Sequence, residues 1–168
     1  MTHFNTITKF LFLCVAFCSV VASAHAINGT TDDGLSWDFT DGVLTISGEG
    51  AMDDYAQSTT FGGKKSPWFA SRASVTKIIV NEGVTALGTY AFFGSTICTE
   101  ISLPSTLTDI KNYALANCST VTKITCKAST PPTLPAAAYD KTYRCFQNVP
   151  TDCPIYVPKQ SVNTYKAT

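Results

Sequence analysis

The stretch Val75–Ile97, VTKIIVNEGVTALGTYAFFGSTI, lies over Cys98–Thr120, CTEISLPSTLTDIKNYALANCST, at an offset of 23 residues. Val75 then meets Cys98, Ile78 meets Ile101, Val80 meets Leu103, Val84 meets Leu107 and Leu87 meets Ile110. Tyr90 meets Tyr113, Ala91 meets Ala114 and Phe92 meets Leu115, and a third copy runs from Val121 through Ile124 to Cys126. Recurrence at one fixed spacing of this size is the mark of a stacked-coil architecture, in which each unit buries its apolar side against its neighbours because it cannot do so alone. The expected fold is therefore a solenoid with a 23-residue period.

Within each copy the pattern Ile78-x-Val80, Ile101-x-Leu103, Ile124-x-Cys126 alternates with period two, which turns two side chains inward and the residues between them outward. Each copy supplies one short strand, and successive strands form a parallel ladder about 4.8 Å apart. Cys98 takes the slot of Val75 and Val121, and Cys126 takes the slot of Val80 and Leu103, so both are expected in the core as small apolar residues. The outward positions form two columns, Lys77, Glu100 and Lys123 in one and Ile79, Ser102 and Thr125 in the next.

The spacing L-x-x-L-x-L-P-x-x-L-x-x-I-x-x-x-A-F-x-x-C resembles the BspA-like leucine-rich repeats of bacterial secreted and surface proteins. It is carried by Ile101, Leu103, Pro104, Leu107, Ile110, Ala114, Leu115 and Cys118, and in the preceding copy by Ile78, Val80, Val84, Leu87, Gly88, Ala91 and Phe92. Lys111 stands where the pattern prefers Gly, and Leu115 where it prefers Phe. Gly42–Met52 and Ser66-Pro67-Trp68 look like the leader module that precedes such repeats. Thr130-Pro131-Pro132 and Ile155–Pro158, with Ser161-Val162 and Tyr165-Lys166, look like the family's terminal unit, and the chain stops at Thr168, short of the aromatic residues that usually finish it. The resemblance implies a mainly β leucine-rich-repeat solenoid with short helical or 3-10 turns, an N-terminal β-hairpin cap and a C-terminal capping unit.

The hairpin also reads directly from the residues. Leu35, Trp37 and Phe39 alternate into Asp41-Gly42, a type I′ turn pair, and Leu44 and Ile46 follow on the return strand. Counting outward from the turn pairs Phe39 with Leu44 and Trp37 with Ile46, on a face able to cover the open end of the first coil. The polar, glycine-bearing stretch from Asp53-Asp54-Tyr55 to Gly62-Gly63-Lys64-Lys65 is expected as an exposed loop. Ile124 to Ile155 is a step of 31, so this coil carries an eight-residue insertion, around Ala136-Ala137-Ala138, Arg144, Cys145 and Phe146.

Residues 1–26 read as an export signal: Lys9 is the only charge, an apolar run spans Phe10 to Val21, and Ala24-His25-Ala26 supplies the small-x-small cleavage pattern. Cleavage is expected after Ala26. The apolar run is too short to span a bilayer, and no second one follows, so no transmembrane segment is expected in the mature chain. Leu13 precedes Cys14 and Phe17 precedes Cys18, which disfavours a lipid-anchoring cleavage. The division expected is 1–26 signal peptide, 27–74 hairpin module and loop, and 75–168 solenoid with its closing unit.

Composition narrows the chemistry. The 168 residues hold 12 Lys+Arg against 12 Asp+Glu and only 14% charged residues, with no basic excess to neutralise a phosphate backbone, so no nucleic-acid partner is expected. The two histidines, His3 and His25, both lie in the signal segment. Without them, Ser-His-Asp and Cys-His nucleophiles and imidazole metal sites are gone from the mature chain. No catalytic residues, metal or cofactor are expected; only paired-carboxylate glycoside hydrolysis, with carboxylates roughly 5 to 9 Å apart, stays open on composition. Asp32-Asp33 and Asp53-Asp54 lack the spaced oxygen ligands of a calcium loop and read as turn residues. Five cysteines remain after the signal, Cys98, Cys118, Cys126, Cys145 and Cys153, an odd number; Cys145 and Cys153 are the nearest candidates for a disulfide.

The functional expectation is an exported, non-enzymatic binding protein whose sheet face, Lys77, Ile79, Glu100, Ser102, Lys123 and Thr125, takes an extracellular protein or cell-surface ligand. By resemblance, that partner is a host matrix protein or another cell's surface. The face is expected to be about four strands wide, on the order of 15 to 20 Å, so firm attachment calls for avidity. Alternating charges in the Lys77 column also stabilise the sheet surface by themselves. Two other readings compete: a sugar platform built from Trp37, Tyr55 or Trp68, and a structural spacer within a larger envelope protein.

Overall fold

The computed structural model describes residues 26–58, 63–135 and 144–167. The expected signal peptide, apart from Ala26, and the Ala136-Ala137-Ala138 stretch lie outside the described residues. The architecture is mainly β, with a few short helices. Ten strands are described: β1 Ile27–Thr30, β2 Ser36–Thr40, β3 Val43–Ser47, β4 Gly50–Ala51, β5 Lys77–Val80, β6 Val84–Leu87, β7 Glu100–Leu103, β8 Asp109–Ile110, β9 Lys123–Cys126 and β10 Ile155–Tyr156. One short helix, α1, follows at Val162–Lys166.

Seven strands form one sheet in the order β1-β2-β3-β5-β7-β9-β10. From β3 to β10 every neighbouring pair is parallel: Leu44 faces Ile78, Ile78 faces Ile101, Ile101 faces Ile124 and Ile124 faces Ile155. At the other end β2 pairs antiparallel with β1 and β3, with Ile27 facing Phe39 and Phe39 facing Leu44. A single transverse row of apolar residues thus runs from Ile27 to Ile155 on the inner side. Its central members Leu44, Ile78, Ile101 and Ile124 are buried, and each fully buried aliphatic side chain contributes roughly 1.5–3 kcal/mol. The row fixes the register, since a slip by one residue would expose every member.

The hairpin pairs as its sequence requires, Trp37 with Ile46 and Phe39 with Leu44. Asp41 (φ 51) and Gly42 (φ 81) both take the left-handed conformation that a type I′ turn demands. Its placement differs from the expectation of a lid over the first coil. The alternation Leu44-x-Ile46 matches Ile78-x-Val80, so β3 joins edge-on as the first rung of the parallel ladder. That makes five parallel strands where about four were expected, and β1 adds a further strand that the sequence did not announce.

A second sheet, β4-β6-β8, was also unannounced; it is parallel and lies later in each coil. A third set of contacts joins the turns that close the coils. Tyr90 N–H donates to Asn112 O, Phe92 N–H to Ala114 O and Gly94 N–H to Ala116 O, and the next coil repeats this with Leu115 N–H to Cys145 O and Asn117 N–H to Gln147 O. Tyr90 and Tyr113, equivalent in sequence, share a left-handed backbone (φ 56 and 57) and stack with ring centroids 4.8 Å apart. Neighbouring coils thus satisfy many of each other's backbone polar groups.

The core is continuous through these faces. Val75, Cys98 and Val121 are buried in equivalent places, as are Val80, Leu103 and Cys126. At the C-terminal end the Tyr165 hydroxyl of α1 donates to Ala128 O at 3.0 Å, and lies 3.2 Å from the Cys126 sulfur. Among the described residues no helix is long and apolar enough to cross a membrane.

Candidate functional site

The six outward residues picked out by the alternation share one face of the seven-stranded sheet. Lys77, Glu100 and Lys123 are in register across β5, β7 and β9, as are Ile79, Ser102 and Thr125. All six are half-buried or exposed. Glu100 sits between two lysines, with Lys77 Nζ at 3.0 Å and Lys123 Nζ at 3.2 Å. Hydrogen bonds from Lys77 and then Lys123, with their positive charge, hold its carboxyl below its ordinary value. The column is a Lys–Glu–Lys triad with one net positive charge, so the charges order the surface as well as decorating it.

The neighbouring row is the better place for apolar contact. Thr45 faces Ile79 on one side, and Thr125 faces Tyr156 on the other. The face therefore carries Thr45, Ile79, Ser102, Thr125 and Tyr156 side by side across five strands. Tyr156 is exposed, and Lys123 Nζ lies 5.8 Å from the centre of its ring. Neither Thr45 nor Tyr156 was in the sequence-derived set. Tyr156 was findable, because the step of 31 that aligns Ile155 with Ile124 also aligns Tyr156 with Thr125.

The scaffold beneath this face is braced by threonines. Thr99 Oγ1 donates to Thr76 O at 3.3 Å and Thr122 Oγ1 to Thr99 O at 3.2 Å, linking one coil to the next beside the charged column. A rigid, in-register surface loses little conformational freedom when a partner docks.

The aromatic platform is corrected by the structure. Trp37, Tyr55 and Trp68 are 9%, 4% and 1% exposed. They pack together, Trp68 edge-on to Trp37 and Tyr55 and stacked on Phe92 with centroids 5.8 Å apart. A sugar ring needs an open aromatic face, and these faces are covered by protein, because the hairpin joins the ladder and brings its inner side onto the core.

The acidic pairs are engaged by lysines. Lys64 Nζ reaches Asp32 at 2.8 Å and Asp53 at 2.5 Å, and Lys111 Nζ reaches Asp54 at 3.0 Å. Burial raises the Asp54 carboxyl, but the Thr89 N–H and Lys111 outweigh it and leave the group below its ordinary value. Cys145 and Cys153, the nearest candidates for a disulfide, are separate thiols here, as are the other three cysteines among the described residues; Cys145 is buried and Cys153 half-buried. Burial pushes the thiols of Cys98 and Cys145 up to about 11 and that of Cys118 up to about 12, so none of the three is a poised nucleophile.

Comparison with known proteins agrees with this geometry. Residues 65–150 match the family described as a BspA type leucine rich repeat region of six copies. No curated protein matches. A solved structure with a similar fold is a leucine-rich repeat protein from Eubacterium ventriosum ATCC 27560, at 22% identity and a TM-score of 0.51. The likeness covers 81% of this chain and 45% of that one, so the chain spans less than half of that protein's length.

Proposed function

From the premise that the chain belongs to the BspA-type leucine-rich-repeat family, we propose that it is an exported, non-catalytic protein that captures a protein partner on the outward face of its parallel sheet. The partner class is an extracellular matrix protein or the surface of another cell. In this reading residues 1–26 direct export and are removed after Ala26, residues 27–74 form and close the N-terminal end of the solenoid, and residues 75–168 supply 23-residue coils and a C-terminal closing unit.

The observation that carries the reading is the row Ile79, Ser102, Thr125 and Tyr156 lying beside the paired charges of Lys77, Glu100 and Lys123. Apolar anchors bordered by ordered charges are what a protein interface uses: the anchors supply affinity, and the charges fix orientation and hasten encounter. The face is small, so each contact is weak and tight attachment comes from several copies acting together.

The test is capture of matrix proteins and of whole cells by the immobilised mature protein. Two variants accompany it: Lys77→Ala with Glu100→Ala and Lys123→Ala, and Ile79→Ala with Tyr156→Ala. Each is expected to weaken capture by about tenfold or more, with far-UV circular dichroism unchanged. Capture that is indifferent to both variants overturns the assignment of this face. No capture of any extracellular protein or cell favours the spacer reading instead.

A further inference from the structure

We propose that copies of this chain join end to end, β10 of one against β1 of the next, so that the parallel ladder continues from molecule to molecule. Among the described residues, β1 and β10 are the two edges of the seven-stranded sheet, each with a strand neighbour on one side only. The inner apolar row that runs through the sheet emerges at both edges. Its last members, Ile27 at 43% and Ile155 at 52% exposure, contrast with the buried Leu44, Ile78, Ile101 and Ile124 between them. Ile27, Ile155 and Tyr156, three of the four exposed large hydrophobic residues among those described, stand on these two edge strands.

Strand direction selects the manner of joining. β1 is antiparallel to β2 and β2 to β3, so β1 runs the same way as β3 and hence the same way as β10. A second copy displaced along the ladder therefore offers β1 to β10 as a further parallel pair. The Ile27 of that copy meets Ile155 as the next step in the row. The hydrogen-bonding groups are available: Ile124 N–H donates to Pro154 O, and since successive residues of a strand point their backbone groups to opposite sides, those of Ile155 face the open edge. Pro154, which lacks an N–H, turns its carbonyl inward, so it does not block that edge. One heterologous contact covers both exposed ends, whereas a two-fold contact of β10 with β10 leaves Ile27 bare. A contact of this kind is heterologous, and builds open rows wherever the rotation between copies does not close a ring. Independently of what the sheet face binds, such a row repeats that face at regular intervals.

The test uses purified protein with its N-terminus established by mass spectrometry, and the variants Ile27→Lys and Ile155→Lys. Both residues are exposed, so both variants are expected to fold, with circular dichroism and thermal midpoint as for the parent. In sedimentation velocity the parent is expected to show species larger than a monomer that grow with concentration. Each variant alone is expected to lose self-association by about tenfold or more and to sediment as a monomer. An equal mixture of the two is expected to form a heterodimer and stop there, because it pairs the intact β10 of Ile27→Lys with the intact β1 of Ile155→Lys. A monomeric parent, a mixture that stays monomeric, or Ile27→Lys that still dimerises by itself each overturns the proposal, the last in favour of two-fold pairing through β10. The milder variants Ile27→Ser and Ile155→Ser repeat the scheme should a lysine disturb the fold.

Discussion

The indole N–H of Trp68 donates to the carbonyl oxygen of Ala91 at 2.8 Å, tying the segment before the first repeat to the turn that closes it. Both residues are buried. Trp68→Phe leaves that carbonyl without its donor, at a cost of about 1–3 kcal/mol, and Trp68→Ala, which also opens a cavity beside Phe92, costs about 3–5 kcal/mol. Urea unfolding followed by circular dichroism measures both. A Trp68→Phe variant as stable as the parent would mean that the hydrogen bond is not made in solution. The same packing predicts tryptophan emission resistant to acrylamide quenching, and a glycan array that is blank for the N-terminal aromatics.

What could be read from the residues and what could not divide along physical lines. The pairing of Ile78, Ile101 and Ile124 was legible because inward aliphatic side chains at equal spacing have only one register that buries all of them. The hairpin was legible because Asp41-Gly42 accepts the two positive φ angles of its turn. The second sheet was not, since Gly50–Ala51 and Asp109–Ile110 are two-residue strands, too short to show any alternation. The fate of Trp37, Tyr55 and Trp68 was not legible either: an aromatic side chain suits a core and a binding platform alike, and only the docking of β3 onto β5 decides between them. At the candidate face, alternation identified the outward residues of β5, β7 and β9. Thr45 escaped because the hairpin was read as a lid.

The departure from the repeat pattern at Lys111 has a structural reason, and Gly88 shows it by contrast. A Cβ built on Gly88 would lie 1.7 Å from the carbonyl oxygen of Asp53, where the segment after β4 crosses the coil. Lys111, at the equivalent place one coil later, instead donates its backbone N–H to Leu87 O and its ammonium to Asp54. Gly88→Ala is therefore expected to destabilise by more than about 2 kcal/mol. Lys111→Gly removes an exposed ion pair and is expected to cost about 1 kcal/mol or less. Equal midpoints for the two variants in a denaturant titration would refute this account of the glycine.

Thiol accessibility follows from burial. Of the five cysteines from Cys98 onward, Cys153 alone is partly exposed. Reaction with an aromatic disulfide reagent near pH 8 is expected to label this one quickly in the native protein and the other four only after denaturant is added. The reagent cannot reach the buried thiols, and for three of them burial also raises the pKa, to about 11 for Cys98 and Cys145 and about 12 for Cys118. If the native protein labels no thiol and denaturant releases only three in all, Cys153 is joined to another cysteine in solution, and peptide mapping tests whether that partner is Cys145.

Glu100 gives the sheet face a dependence on pH whose direction is fixed. Lys77 and Lys123 lower its pKa from the ordinary 4.5, so the folded state holds the carboxylate more firmly than the unfolded chain does. The stabilisation is complete above that ordinary value and is lost as the pH falls through the lowered one. All three side chains are about a third to a half exposed, so the pairs together are worth no more than about 1 kcal/mol, and salt weakens them. Glu100→Gln is therefore expected to be slightly less stable than the parent at neutral pH and low salt, and to match it in strong acid. Glu100→Lys brings three ammonium groups into one column and is expected to be the least stable of the three proteins, recovering partly as salt is raised. A Glu100→Gln variant whose deficit persists unchanged into acid would show that the column owes its order to something other than charge.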